Sequence, residues 1–164
     1  MDIQEYTSLF SKISKFIKVK DRSSNEVRSF LVSKHISKKK IDQFLKLLIE
    51  NDIINENRLV KYFIYSGFEN FYGEKYLIEK LKERHIDDNI IQSELENYNK
   101  EMWLEKCSNF IEKKFGKDLS NLKPTRIFSC VKTVYNRGYD LNTIQIVLKD
   151  KRVNSEILET LENI

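Results

Sequence analysis

Val27-Arg28-Ser29-Phe30-Leu31-Val32-Ser33-Lys34-His35-Ile36-Ser37-Lys38-Lys39-Lys40-Ile41-Asp42-Gln43-Phe44-Leu45 places apolar residues at fourth positions on both sides of His35-Ile36-Ser37. That spacing is helical with one buried face, interrupted by a short turn and then resumed. It returns 50 residues later at Leu77, Leu81, His85-Ile86-Asp87, Ile91 and Leu95. A further 53 residues on, it returns at Cys130, Val134, Gly138-Tyr139-Asp140, Ile144 and Leu148. Recurrence at a near-fixed period marks a repeat architecture, in which function belongs to an extended surface more than to one pocket.

Working outward, Tyr6, Leu9, Phe10, Ile13 and Ile17 form the apolar stripe of an amphipathic first helix. Ser23-Ser24-Asn25-Glu26 follows and reads as a capping box, with a hydroxyl three residues before a glutamate at a helix start. Ser37, Asp87 and Asp140 occupy equivalent positions, and all three are good N-cap residues. Lys34, Arg84 and Arg137 are likewise equivalent, near the ends of the preceding helices, where the helix dipole favours a cation; they are assigned mainly to structure. Asn55 is suited to cap the helix through Leu59 and Ile64, Gly116 to close the one through Trp103 and Phe110, and Pro124 to stand in a first turn. With four glycines and one proline in the chain, the reading is all-α. It predicts three tandem three-helix repeats stacked into an elongated, curved rod, over residues 1–52, 53–99 and 100–152, with a tail at 153–164 that forms a short helix or frays.

The 164 residues are 40% hydrophobic, enough for a substantial core, yet a module of about 50 residues is marginal alone, so neighbouring modules should support one another. The net charge of +4 is uneven. Residues 1–50 carry 11 Lys/Arg against 6 Asp/Glu, residues 51–100 carry 7 against 10, and residues 101–164 carry 11 against 9. Basic ends around an acidic middle suit a partner of mixed charge, such as a protein filament that holds nucleic acid. Cys107 and Cys130 fit no metal-ligand spacing and no disulfide framework. With no amino-terminal signal segment and no apolar run long enough to span a bilayer, the expectation is a soluble, cytoplasmic protein with no membrane association.

Little in the chain points to catalysis. His35 and His85 share a repeat position that holds Gly138 in the third copy, which reads as a helix terminus and not as a metal site. No nucleophile motif, phosphate-cradling glycine loop or HExxH pattern occurs, so neither an enzyme nor a cofactor is expected. The two-helix unit resembles a helix-turn-helix, but its second copy offers Asp88, Asn89, Gln92, Glu94 and Glu96, which phosphate would repel. The candidate contact residues are the bases Lys15, Lys18, Lys20 and Arg22 with Lys38, Lys39 and Lys40 in the first module, and Lys113, Lys114, Lys123 and Arg126 in the third. They are either solvated faces or contacts with an anionic surface. Few aromatics interleave with these runs, which weighs against a protein that coats nucleic acid by base stacking. Two readings stay open beside a filament contact: a sequence-tolerant nucleic-acid-binding helical repeat protein whose basic ends coat single strands by themselves, and a helical adaptor with a different partner.

Arg22-Ser23-x-x-Glu26-Val27-x3-Leu31, then Asn51-Asp52-Ile53-Ile54-Asn55-Glu56-x2-Leu59-Val60, then Gly73-x4-Ile78-x2-Leu81-x3-His85-Ile86 resemble, in order and spacing, the RecX regulatory proteins. Trp103, Lys113-Lys114-Phe115-Gly116 and Arg137-Gly138-Tyr139 continue the resemblance into the third repeat, so it covers nearly the whole chain. Glu74 stands where the family usually has proline, Glu56 where it has aspartate, Val60 where it has alanine, and His35 and His85 where glycine is common. The resemblance implies tandem three-helix repeats that bind the RecA recombinase filament on single-stranded DNA, as a monomer. It implies a groove-lying regulator that limits filament growth and depresses ATP hydrolysis, strand exchange and coprotease activity.

Overall fold

The structure, a computed structural model, describes residues 1–161; the last three residues of the expected tail lie outside the described residues. Among the described residues ten helices follow one another, α1 (Ile3–Lys18), α2 (Ser24–Ser33), α3 (Lys38–Glu50), α4 (Glu56–Glu69), α5 (Glu74–Glu83), α6 (Asp88–Leu95), α7 (Lys100–Phe115), α8 (Pro124–Tyr135), α9 (Leu141–Asp150) and α10 (Ser155–Leu161). No strand occurs among the described residues, so the all-α expectation holds. The chain divides into two compact units, the first made of residues 1–62 and 81–94, the second of residues 63–80 and 95 onward.

In the first unit the apolar stripes of α1, α2 and α3 converge, and Ile13, Val27, Leu31, Ile41, Phe44 and Leu48 are fully buried. Edge-on packing of Tyr6 against Phe44, at 5.3 Å, and stacking of Phe16 on Phe30, at 4.7 Å, close its two sides. In the second unit Trp103, Cys107, Phe110 and Ile111 of α7 are buried, as are Ile127, Cys130 and Val134 of α8 and Ile144, Val147 and Leu148 of α9. Phe68 meets Trp103 edge-on at 5.0 Å.

Local chemistry sets the helix ends. Asp2, Asn99 and Asp140 accept backbone N–H bonds at the starts of α1, α7 and α9. The capping box at α2 is complete: Ser23 Oγ accepts from the Glu26 N–H and Glu26 accepts from the Ser23 N–H. Ser37 takes the N-cap position of α3 but makes no side-chain bond, contrary to expectation. At the other ends, His35, His85 and Gly138 all have positive φ, 59°, 54° and 90°, so the position shared by histidine and glycine is indeed a helix terminus. Ile36 and Ile86 then donate back to the Leu31 and Leu81 carbonyls, the six-residue closure that such a residue permits.

Arg84 and Arg137 are structural by another route than the helix dipole. Within the first unit, the Arg84 guanidinium donates to the Asp21 carbonyl at 2.9 Å and to Glu26 at 2.6 Å, while Ser23 Oγ donates to the Arg84 carbonyl at 3.0 Å. Within the second, Arg137 donates to the Asn70 carbonyl at 2.8 Å, and the Gly73 and Lys75 N–H groups donate to the Arg137 and Gly138 carbonyls at 2.7 and 3.1 Å. Each clasp therefore fastens the end of one helix to the start of another. The Glu56 carboxylate joins the first clasp, accepting from the Ser24 N–H at 2.8 Å. Lys34, the third equivalent base, is exposed and lies 5.4 Å from the Phe30 ring.

Candidate anion-binding surface

Helix starts divide into two kinds. Most present an acidic or amide side chain to their free N–H groups, but α3 and α8 have neither a side-chain cap nor an acidic residue in the first turn. Instead, Lys38, Lys39 and Lys40 fill the first turn of α3, while Lys123 is the N-cap residue of α8 and Arg126 stands in its first turn. Cations beside the positive end of a helix dipole are unfavourable by a few tenths of a kcal/mol each, up to about 1. At α3 the same arrangement suits an anion, which meets both the N–H groups and the side-chain charges; at α8 Pro124 has no N–H and the Arg126 N–H donates to the Lys123 carbonyl at 2.8 Å, so the side-chain charges dominate.

The first group of candidates is not one cluster. Lys40 Nζ lies 2.8 Å from Glu5 at the start of α1, a bond that raises the lysine's affinity for its proton. Lys15 and Lys18 stand in the last turn of α1, and Lys18 is thirteen residues from Glu5, about 20 Å along the helix. Lys15, Lys18, Lys20, Lys38, Lys39 and Lys40 are all exposed. Arg22 differs. Its guanidinium lies 3.9 Å from the Phe16 ring, donates to the Phe16 carbonyl at 3.1 Å and pairs with Glu26 at 3.3 Å, with 17% of the side chain exposed. It supports the capping box and is the least available of the candidates.

In the second group, Lys113 and Lys114 lie 5.4 and 5.9 Å from the Phe71 and Phe110 rings, and only Arg126 reaches across from α8 to α7. Arg126 lies 5.1 Å from the Phe115 ring, which brings it beside the last turn of α7, where Lys113 and Lys114 stand. Lys123, Lys113, Lys114 and Arg126 are exposed. The loop that carries Lys123 is anchored from beneath: the Leu119 N–H donates to the Lys151 carbonyl at 3.0 Å, and buried Lys151 pairs with Glu112 at 2.8 Å. That bond holds the Glu112 carboxyl below its usual range. Sequence reasoning missed Phe128, Lys132 and Tyr135, exposed residues on another side of α8 from Arg126; their i, i+4, i+7 spacing was the available signal.

The ionisable groups in the second unit's interior do not suit catalysis. Burial pushes the Cys107 thiol up to about 12 and the Cys130 thiol to about 11, so neither is a ready nucleophile. Asp140 lines a cleft of about 470 Å³ with Lys75, Tyr98, Lys100 and Trp103, but its oxygens accept the Thr143 N–H and hydroxyl as a helix cap. Among the described residues, no three His, Cys, Asp or Glu side chains gather in a metal-binding group, and no helix is long and apolar enough to cross a membrane.

The fold and this surface define a class: an all-helical protein of short, clasped helices that presents bases at helix starts. Comparison makes the class more specific. The chain is 24% identical over 135 residues to the regulatory protein RecX of Oceanobacillus iheyensis, covering 82% of this chain and 50% of that protein. It is 26% identical over 142 residues to the regulatory protein RecX of Streptococcus agalactiae, covering 86% and 54%. The chain thus spans about half the length of the curated relatives it matches. The crystal structure of RecX from Lactobacillus salivarius superposes with a TM-score of 0.77 at 19% identity, over 90% of this chain and 97% of that one. A second RecX crystal structure superposes at 0.73 with 12% identity, over 88% and 72%. No family model matches. The chain has the RecX fold and resembles the RecX regulatory proteins in sequence over most of its length.

Proposed function

We propose that this protein is a non-enzymatic regulator of a RecA-type recombinase, acting on the recombinase filament assembled on single-stranded DNA. In this reading it hinders filament extension, ATP hydrolysis and strand exchange, and so serves the control of recombination and DNA repair. The observation that carries the reading is the joint likeness, in sequence over 82% of the chain and in fold, to proteins named as RecX regulators. The basic start of α3 supports it, because it combines the N–H groups of its first turn with the charges of Lys38, Lys39 and Lys40 in the manner of a phosphate contact; the start of α8 adds mainly side-chain charge, since Pro124 has no N–H and the Arg126 N–H donates to the Lys123 carbonyl. We assign filament contact to Lys15, Lys18, Lys20, Lys38, Lys39 and Lys40 in one module and to Lys113, Lys114, Lys123 and Arg126 in another. Arg22 serves these as scaffold.

The mechanism follows from placement. Bases carried on rigid helices engage an anionic surface without having to order a loop on binding. Contacts made on more than one module at once hold neighbouring filament subunits in a fixed relation, which opposes the rearrangement that accompanies nucleotide turnover. A substoichiometric amount is expected to slow DNA-dependent ATP hydrolysis by the cognate recombinase. Unchanged hydrolysis and unchanged filament length at saturating protein would defeat the reading.

A further inference from the structure

Phe71, just past the end of α4, and Phe110 of α7 have their ring centroids 6.0 Å apart within the second unit. Four cations gather around this pair: Lys106 and Lys113 lie 5.7 and 5.4 Å from the Phe71 ring, and Arg137 and Lys114 lie 4.5 and 5.9 Å from the Phe110 ring. Two of the four are already satisfied. Lys106 pairs with Glu69 at 2.8 Å, and Arg137 donates to the Asn70 carbonyl at 2.8 Å. Lys113 and Lys114 are exposed and, among the described residues, have no carboxylate partner. A ring attracts an ammonium group electrostatically but accepts none of its N–H bonds in full. The lysines also stand in the last turn of α7, where the Gly116 N–H closes on the Glu112 carbonyl. Among the described residues, the Lys113 and Lys114 carbonyls that follow accept no hydrogen bond. The end of α7 thus holds two ammonium groups without acceptors and, on the same residues, two carbonyls without donors.

We propose that this patch binds a short acidic peptide segment of a partner protein, with its carboxylates on Lys113 and Lys114 and its main-chain N–H groups on the open carbonyls. The pairing of needs selects the ligand. A peptide rich in Asp or Glu brings acceptors and donors together, and the ammonium–carboxylate bonds are of the strong, charge-assisted kind. A phosphodiester backbone brings acceptors alone and would set them against the carbonyls. Nor do the rings favour nucleic acid: Phe110 is 6% exposed and Phe71 carries two ammonium groups, which leaves little ring for a base to stack on. Lys106 and Arg137, paired as they are, hold the rings in place beneath the two lysines. The inference rests on the filament reading for which protein carries the segment, but peptide binding itself needs no recombinase.

The test uses the intact chain without recombinase and fluorescence anisotropy at physiological ionic strength on three labelled probes: a short peptide of glutamate and glycine, the same peptide with glutamine for glutamate, and an abasic DNA strand of equal charge. The glutamate peptide is expected to bind about tenfold or more tighter than the glutamine peptide. Lys113→Gln with Lys114→Gln should remove that advantage and cost the peptide more than the strand. Phe71→Leu, which keeps an apolar side chain but removes the ring, should weaken the glutamate peptide about threefold. Lys38→Gln with Lys39→Gln, in the other unit, should leave the peptide's affinity unchanged. Circular dichroism of each variant checks that helix content is intact. Equal affinity for the two peptides overturns the proposal, as does a Lys113/Lys114 double variant that keeps the advantage. A loss confined to the strand also overturns it and assigns the two lysines to nucleic acid instead. Because the filament reading is judged by ATP hydrolysis with recombinase present, the two can fail separately.

Discussion

At the level of single residues, the two arginine clasps do the same work with different chemistry. The Arg84 clasp depends on side chains: its partner Glu26 is disfavoured as an anion by burial, yet the Ser23 N–H and the Arg84 guanidinium hold its carboxyl below the ordinary value of 4.5. Arg84→Ala is expected to lower the unfolding free energy by about 2 kcal/mol in urea titration, and Arg84→Lys should recover only part, having lost the fork geometry. Since Glu26 titrates lower in the folded state, its contribution is complete above the ordinary carboxylate value and lost as pH falls through the folded one. Glu26→Gln should therefore flatten the acid limb of the stability curve, as read by melting temperature against pH. The Arg137 clasp has no side-chain ion pair: its guanidinium donates to a backbone carbonyl and the other bonds are backbone to backbone. A methyl group on Gly138 would meet the Tyr76 backbone nitrogen at 2.3 Å, and one on Gly73 would meet the Gly138 carbonyl carbon at 2.4 Å. Gly138 also sits at φ +90°. Gly138→Ala should cost at least about 2 kcal/mol, more than an exposed glycine change elsewhere.

At the level of elements, the starts of α3 and α8 set stability against function. Replacing Lys38 and Lys39 by glutamate would place favourable charges at the dipole's positive end and is expected to stabilise the protein by about 0.3 to 1 kcal/mol per site. The same change should weaken inhibition of the recombinase. A variant that melts higher and inhibits as well as the parent would remove these lysines from the contact surface. Most element boundaries were legible in the sequence because they are written in local chemistry: the Ser23–Glu26 box, Asp140 as cap and Pro124 in a first turn all stand where the pattern placed them. The clasps were not legible. Arg84 and Arg137 were recognised as structural, but their partners Asp21 and Asn70 lie more than sixty residues away, and no periodicity encodes such a pairing. The splitting of the first basic group by the length of α1, and the withdrawal of Arg22 onto Phe16, also depend on tertiary placement.

At the level of the whole molecule, the candidate bases fall in both compact units, Lys15 to Lys40 in the first and Lys113 to Arg126 in the second. If both engage one filament, charge reversal at Lys38, Lys39 and Lys40 alone, or at Lys113, Lys114, Lys123 and Arg126 alone, should each reduce inhibitory potency about tenfold or more. Reversal of both should abolish it, because the second contact is made at high effective concentration only while the first holds. Titration of recombinase ATP hydrolysis with each variant measures this, and parental inhibition by the combined variant would refute it. The Arg84–Glu26 pair bears on how such measurements are interpreted. With side chains 18% and 22% exposed, it is within reach of screening ions, whereas the Arg137 clasp contains no ion pair, its guanidinium donating to the Asn70 carbonyl and the rest being backbone bonds. In the proposed role, raising ionic strength would act on the protein twice, weakening the phosphate contacts proposed for it and loosening one of its own two fastenings. A salt slope taken from the parent chain would overcount the phosphates it touches, and a variant with an uncharged substitute for that pair is the proper reference for the count.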